Sequence, residues 1–338
     1  IMVRFGKWMG LFFGWLMGFF GAVFAIYAVM VESFLLFIVG MLILGSGQGS
    51  NYLARYAAAE AYPPNRRGKI LGFVLWTGTV GSMIGPLLLE PGDVFTARLG
   101  LGEHTGGLFV AGFTFWLAGM VVLVFGRRIP KTEKRMNAST NLALLSQLFG
   151  SVRTVGVVCA LVISQFVMIL IMTMTPVHIQ DYSHGLSSVG IVMSVHVFGM
   201  FGFAPLVGWL GDRYRTQYVV WGGLALLAGS AVLSAVVPMG SIVSLALALF
   251  LLGVGWSAAF IGSSKLLANR GEKLQGFAET LGWTSAGVGS GLSGMLMSWL
   301  GYFGLSLIGA VISLIGMGVF IQLLMKDDPA VVESNPVN

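Results

Sequence analysis

Few residues in this chain can do chemistry, and they are scattered. His196 is an ionisable imidazole near the middle of an apolar run, between Met193 and Gly199. Inside a bilayer such a group either takes part in function or stays neutral, hydrogen-bonded across a helix interface. The residues alone leave both open. Gln48 and Asn51 share another apolar run, Gln165 lies mid-depth in a third, and Trp256 lies in a fourth. Amides there can grip a small molecule, and an indole can form a flat wall. Buried amides are more often interhelical glue, and aromatics more often core. Gly208, Asp212, Arg213 and Arg215 stand at a polar break between two long apolar stretches. The carboxylate and guanidinium groups can pair with each other and with free helix-terminal groups. Glu279, near the start of a later run, could pair with Lys273, with Arg270, or with Arg213 and Arg215 across a gate. His178, Asp181 and His184 fall within seven residues. They lack an i, i+4 histidine pair and a fourth ligand, so they are expected to be a solvated outer loop and not a metal site. No Gly-rich phosphate loop with a following Lys occurs, which argues against ATP drive within this chain. Nothing resembles a catalytic set, so no enzyme activity, cofactor or metal is expected.

The elements that must hold these residues follow from composition. The chain has 338 residues, 56% hydrophobic and 9% charged, with mean hydropathy +0.88. Soluble domains carry about 25% charged residues. The chain therefore reads as an all-α polytopic membrane protein. Its 49 glycines fit helices packed closely in lipid. Cys159, the sole cysteine, can form no internal disulfide.

Spans of about 20 apolar residues are expected near 8–30, 33–56, 68–90, 106–126, 153–176, 187–209, 218–237, 242–265, 276–298 and 302–325. Glu32-Ser33, Pro63-Pro64-Asn65, Pro91-Gly92-Asp93 and Pro238 punctuate them as loops. The longest polar connector, 127–151, divides a four-span half (1–126) from a six-span half (152–326), and 327–338 reads as a disordered tail. With the N-terminus in the cytoplasm, every basic residue but Arg98 falls on the inner side. Both ends are then cytoplasmic in a cell (plasma or inner) membrane. The net charge of +6 meets anionic headgroups of the bilayer, with no nucleic-acid partner.

An internal repeat is present. Leu44-Gly45-Ser46-Gly47 recurs as Leu252-Gly253-Val254-Gly255, 208 residues on. Val80-Gly81-Ser82 recurs as Val288-Gly289-Ser290 at the same offset, and Trp76-Thr77 as Trp283-Thr284 at 207. Spans 1–4 thus repeat as spans 7–10 in the same orientation, a parallel repeat.

Gly208-x-x-x-Asp212-Arg213-x-Arg215 resembles the loop signature of the major facilitator superfamily, G-x-x-x-D-R-x-G-R-R, with Arg215 standing where the second Gly belongs. Gly72-x8-Gly81-x3-Gly85-Pro86 resembles that family's antiporter motif, whose closing Gly pair is Leu89-Glu90 here. Glycine stripes and a proline bend would let this helix pack closely and rock. The same family pattern would place a basic residue at Met41, which has no charge. The resemblance implies a twelve-helix fold of which this chain holds helices 3–12, with two helices expected before Ile1. It implies secondary active transport of a small molecule by alternating access, as a monomer. Export coupled to protons is the direction it suggests. On this reading Gln48, Asn51, Gln165, His196 and Trp256 are cavity candidates. Gly208, Asp212, Arg213, Arg215 and Glu279 form the signature loop and gate. The alternatives are facilitated or symport uptake, and a polytopic membrane enzyme acting on lipid-linked substrates. The last would require acids, histidines or arginines clustered at one membrane face.

Overall fold

A computed structural model describes residues 7–60, 77–102, 104–126, 150–182, 185–238, 241–268 and 272–325. Among these the regular structure is helical, with no strand. That is the outcome lipid imposes, because a helix satisfies its own backbone polar groups. The helices are α1 Lys7–Met30, α2 Phe34–Glu60, α3 Leu89–Arg98 and α4 Gly106–Phe125. They continue as α5 Val152–Asp181, α6 Leu186–Gly202, α7 Ala204–Arg213, α8 Thr216–Val236, α9 Ile242–Ala268 and α10 Glu272–Met325. Residues 77–87 are also helical. Seven described stretches are long and apolar enough to cross a membrane. The chain divides into two compact units, Ile1–Met136 and Asn137–Asn338.

In the first unit α1 packs on α2 and α4 around Leu11, Trp15 and Phe115. In the second, α5 packs on α10 and α9, while α8 and α6 pack on α9. The repeat is visible inside each unit. A Cβ added at Gly47 would stand 2.7 Å from Gly18 Cα and 3.1 Å from the Gly14 carbonyl. A Cβ at Gly255 would stand 2.8 Å from Leu227 N and 3.0 Å from the Gly223 carbonyl. Gly255 is the counterpart of Gly47 at an offset of 208, and Gly223 and Leu227 are those of Gly14 and Gly18 at 209. The same close crossing thus joins α1 to α2 and α8 to α9.

Several boundaries differ from expectation. Pro91-Gly92-Asp93, expected as a loop, lies in the first turns of α3. Proline is tolerated there because its missing N–H has no intrahelical role. Asp93 instead reaches across the turn, its Oδ1 accepting from Gly106 N at 2.6 Å, and caps α4. The span expected at 187–209 breaks at Phe203, and α7 starts with Pro205 in its first turn. Gly208, Asp212 and Arg213 therefore sit on a helix, and the loop proper is Tyr214-Arg215. α5 runs through Pro176 to Asp181, so His178 and Asp181 lie on its last turn and not in an outer loop; His184 lies outside the described residues. The last two expected spans form one helical run, kinked at Gly301 with φ 64° and ψ −176°. That conformation is essentially restricted to glycine.

Candidate functional site: a polar–aromatic cluster in the C-terminal unit

Four helices of the second unit bring side chains together. Trp256 of α9 donates its indole N–H to Gln165 Oε1 of α5 at 2.6 Å. Gln165 is 1% exposed and Trp256 6%. Phe260, one turn on from Trp256, stacks on the indole at 4.9 Å and 16°. Phe201, at the end of α6, meets it edge-on at 5.8 Å and 78°. α10 approaches from another side through Gly282, where a Cβ would stand 2.8 Å from Leu161 Cδ2 and 4.0 Å from Gln165 Cγ. Ser285, one turn later, shares its hydroxyl hydrogen between the Gly282 carbonyl of its own helix at 2.7 Å and the Val162 carbonyl of α5 at 3.1 Å.

The orientation of the amide follows from this geometry. An indole N–H only donates, so the Gln165 oxygen must face Trp256 and the NH2 must point elsewhere. That nitrogen has no hydrogen-bond partner among the described residues. An unpaired buried donor costs about 1–3 kcal/mol. The amide is thus half used.

His196 lies apart from this arrangement. Its Nδ1 is 2.7 Å from the Leu249 carbonyl of α9, two turns before Trp256. A carbonyl only accepts, so Nδ1 carries the hydrogen and donates. The ring is fully buried, and Nε2 has no partner among the described residues. The backbones of α6 and α9 meet here: a Cβ at Gly253 would stand 2.8 Å from Met200 N. The geometry is that of an imidazole tying two helices.

The charged candidates are resolved in part. Asp212 pairs with Lys265 in the last turn of α9, while Arg213 and Arg215 are exposed. Glu279 is half-buried and has no ion-pair partner among the described residues. The side chains of Arg270 and Lys273 lie outside the described residues. In the first unit, Gln48 is exposed on α2. The side chain of Asn51, and all of Gly72, lie outside the described residues. No described residue comes within 4 Å of a Cβ added at Gly81 or Gly85. Pro86 follows them, and Leu88 N turns back to the Gly85 carbonyl at 3.0 Å. Phe201, Phe260, Gly282 and Lys265 were missed as site residues. Phe260 had a signal, standing four residues after Trp256 on one helix face; the others had none, because their partners are distant in sequence.

Residues 1–278 match the sequence model of the Major Facilitator Superfamily. The chain is 34% identical over 339 residues to the uncharacterised MFS-type transporter YddS of Bacillus subtilis (strain 168), covering 94% of this chain and 76% of that one. It is 26% identical over 334 residues to the riboflavin transporter RfnT of Brucella anthropi, covering 96% and 82%. Its fold is like that of a bacterial homologue of the human lysosomal transporter Spinster, with TM-score 0.67, 14% identity, and 93% and 82% of the two chains covered.

Proposed function

The chain belongs to the major facilitator superfamily, and on that premise we propose that it exports a small organic molecule in exchange for protons. Membership makes it a multi-pass membrane transporter and not an enzyme. Direction and coupling are our reading, as are a cell-membrane location, cytoplasmic termini and a monomeric state. The observation that carries it is the Gln165–Trp256 pair, a polar and aromatic cluster buried inside a membrane-spanning bundle. The Asp212–Lys265 pair at two helix ends supports a rocking mechanism, since such pairs form and break when helices shift. Export is supported by the Gly81, Gly85 and Pro86 spacing.

The test is accumulation in everted membrane vesicles carrying the chain. Fluorescent dyes are the first cargoes, and riboflavin, named for the Brucella anthropi relative, belongs beside them. Uphill accumulation that stops when the pH gradient is collapsed is expected. Accumulation that ignores the gradient would remove proton exchange, and mere equilibration would leave facilitated passage. The uncharged Met41, where the antiporter pattern has a basic residue, favours facilitated or symport uptake as the second reading.

A further inference from the structure

Resting on that transport reading, we infer that the cargo is a flat aromatic or heteroaromatic molecule bearing a neutral hydrogen-bond acceptor, and that Gln165 reads this acceptor. The inference starts from the half of the amide that the fold does not use. If Gln165 served only to tie α5 to α9, its oxygen would suffice, because Trp256 offers one hydrogen and no lone pair. The NH2 group presents two further hydrogens and has no partner among the described residues. Between membrane-spanning helices there is no bulk water to take them. An acceptor on a bound molecule would satisfy them.

Three further features narrow the class. The Trp256 and Phe260 rings lie nearly parallel, 4.9 Å apart, and Phe201 meets the indole edge-on. These rings already stack on one another, and a planar cargo would extend the stack. The buried polar residues of this unit are hydroxyls, one amide and one imidazole, with no Asp, Glu, Lys or Arg among those described. Without a counter-charge, the matching acceptor is a carbonyl and not a carboxylate or phosphate. Finally, the amide is held in place. Its oxygen is bound by the indole, and α10 stands against its stem at Gly282. A donor fixed in this way discriminates, because a ligand lacking the acceptor leaves it unpaired.

The experiment uses the full chain in lipid nanodiscs and two fluorescent probes of similar shape. Acridone is flat, neutral and carries a carbonyl. Proflavine is flat, protonated at neutral pH and offers only donors. Binding is read by fluorescence titration against empty nanodiscs. Acridone is expected to bind more tightly than proflavine, by about tenfold, the value of one well-placed hydrogen bond. Gln165→Met keeps the length of the side chain and removes the amide. It is expected to weaken acridone by about tenfold while moving proflavine less than about twofold. Trp256→Phe keeps a ring but frees the amide to rotate, and is expected to shrink the preference. Should Gln165→Met fail to fold, Gln165→Glu serves instead: it retains an oxygen for the indole and is expected to reverse the preference toward the cation. Equal binding of the two probes, or acridone binding unmoved by every Gln165 variant, would overturn the inference. Dye accumulation in vesicles separates the two readings. If it persists while the acridone preference is absent, only the cargo class falls. If no compound accumulates, the transport reading falls first.

Discussion

Lys265, in the last turn of α9, donates to the Asp212 carboxylate at the end of α7. The pair is 53 residues apart in sequence and ties the signature segment to the helix that carries Trp256 two turns and more away. Asp212 is 75% exposed, so solvent screens the attraction. Its worth lies in geometry, since any movement of α9 relative to α7 must stretch or break it.

Neutralising the pair should therefore act on turnover more than on stability. Asp212→Asn and Lys265→Ala are each expected to change thermal stability by no more than about 1 kcal/mol, the range of exposed ion pairs. Transport rates in proteoliposomes are expected to fall severalfold in each. The exchanged double variant, Asp212→Lys with Lys265→Asp, should recover part of the loss. No recovery would mean that the two residues act separately.

His196 is expected to behave as a helix tie. His196→Ala removes its bond to Leu249 and opens a small void, lowering stability by about 1–3 kcal/mol in a denaturation series. His196→Gln, which keeps a donor, is expected to fold and to leave the pH profile of transport unaltered. A profile that shifts or flattens in that variant would instead assign the imidazole to proton movement.

Close helix crossings give a third measurement. A Cβ at Gly253 would meet the His196 carbonyl and Met200 N, both backbone atoms that cannot swing aside. Gly253→Ala should cost about 1–3 kcal/mol, as overpacking does. Gly229 on α8 has nothing within 4 Å of an added Cβ. Gly229→Ala should raise stability by about 0.5–1 kcal/mol, because helix interiors disfavour glycine. Equal effects at the two sites would contradict the α6–α9 geometry.

Gly301 offers a fourth. With φ 64° and ψ −176° it kinks the chain between the two halves of α10. Gly301→Ala should cost of order 1–3 kcal/mol through backbone strain alone, since no neighbour lies within 4 Å of the new methyl group. Unaltered melting in that variant would show that the turn takes another form.

Much of the architecture was legible from residue types because lipid is an exacting solvent. A run of about 20 apolar residues has one stable form there. This placed α1, α4, α8, α9 and both halves of α10 close to where they stand. Errors came at prolines. Pro91 looks like loop punctuation and Pro176 like the end of a span, yet both lie within helices. Pro205 looks like part of a span, yet it opens a new helix. A proline forbids one hydrogen bond, and whether the helix stops or continues depends on what packs beside it.

The sequence by itself determined the membrane class and the family, because these rest on composition, spacing and charge along the chain. It named Gln165, Trp256, His196 and Asp212 as residues of interest. Only the tertiary structure decided their partners. Gln165 meets Trp256 from 91 residues away, and His196 meets Leu249 from 53. The reason is physical: a helix apolar on every side carries little record of which face turns inward. Its rotation is set by close backbone crossings such as Gly253 against α6. Those crossings choose which of the rare polar atoms meet and which, the Gln165 amide nitrogen and His196 Nε2 among them, are left over.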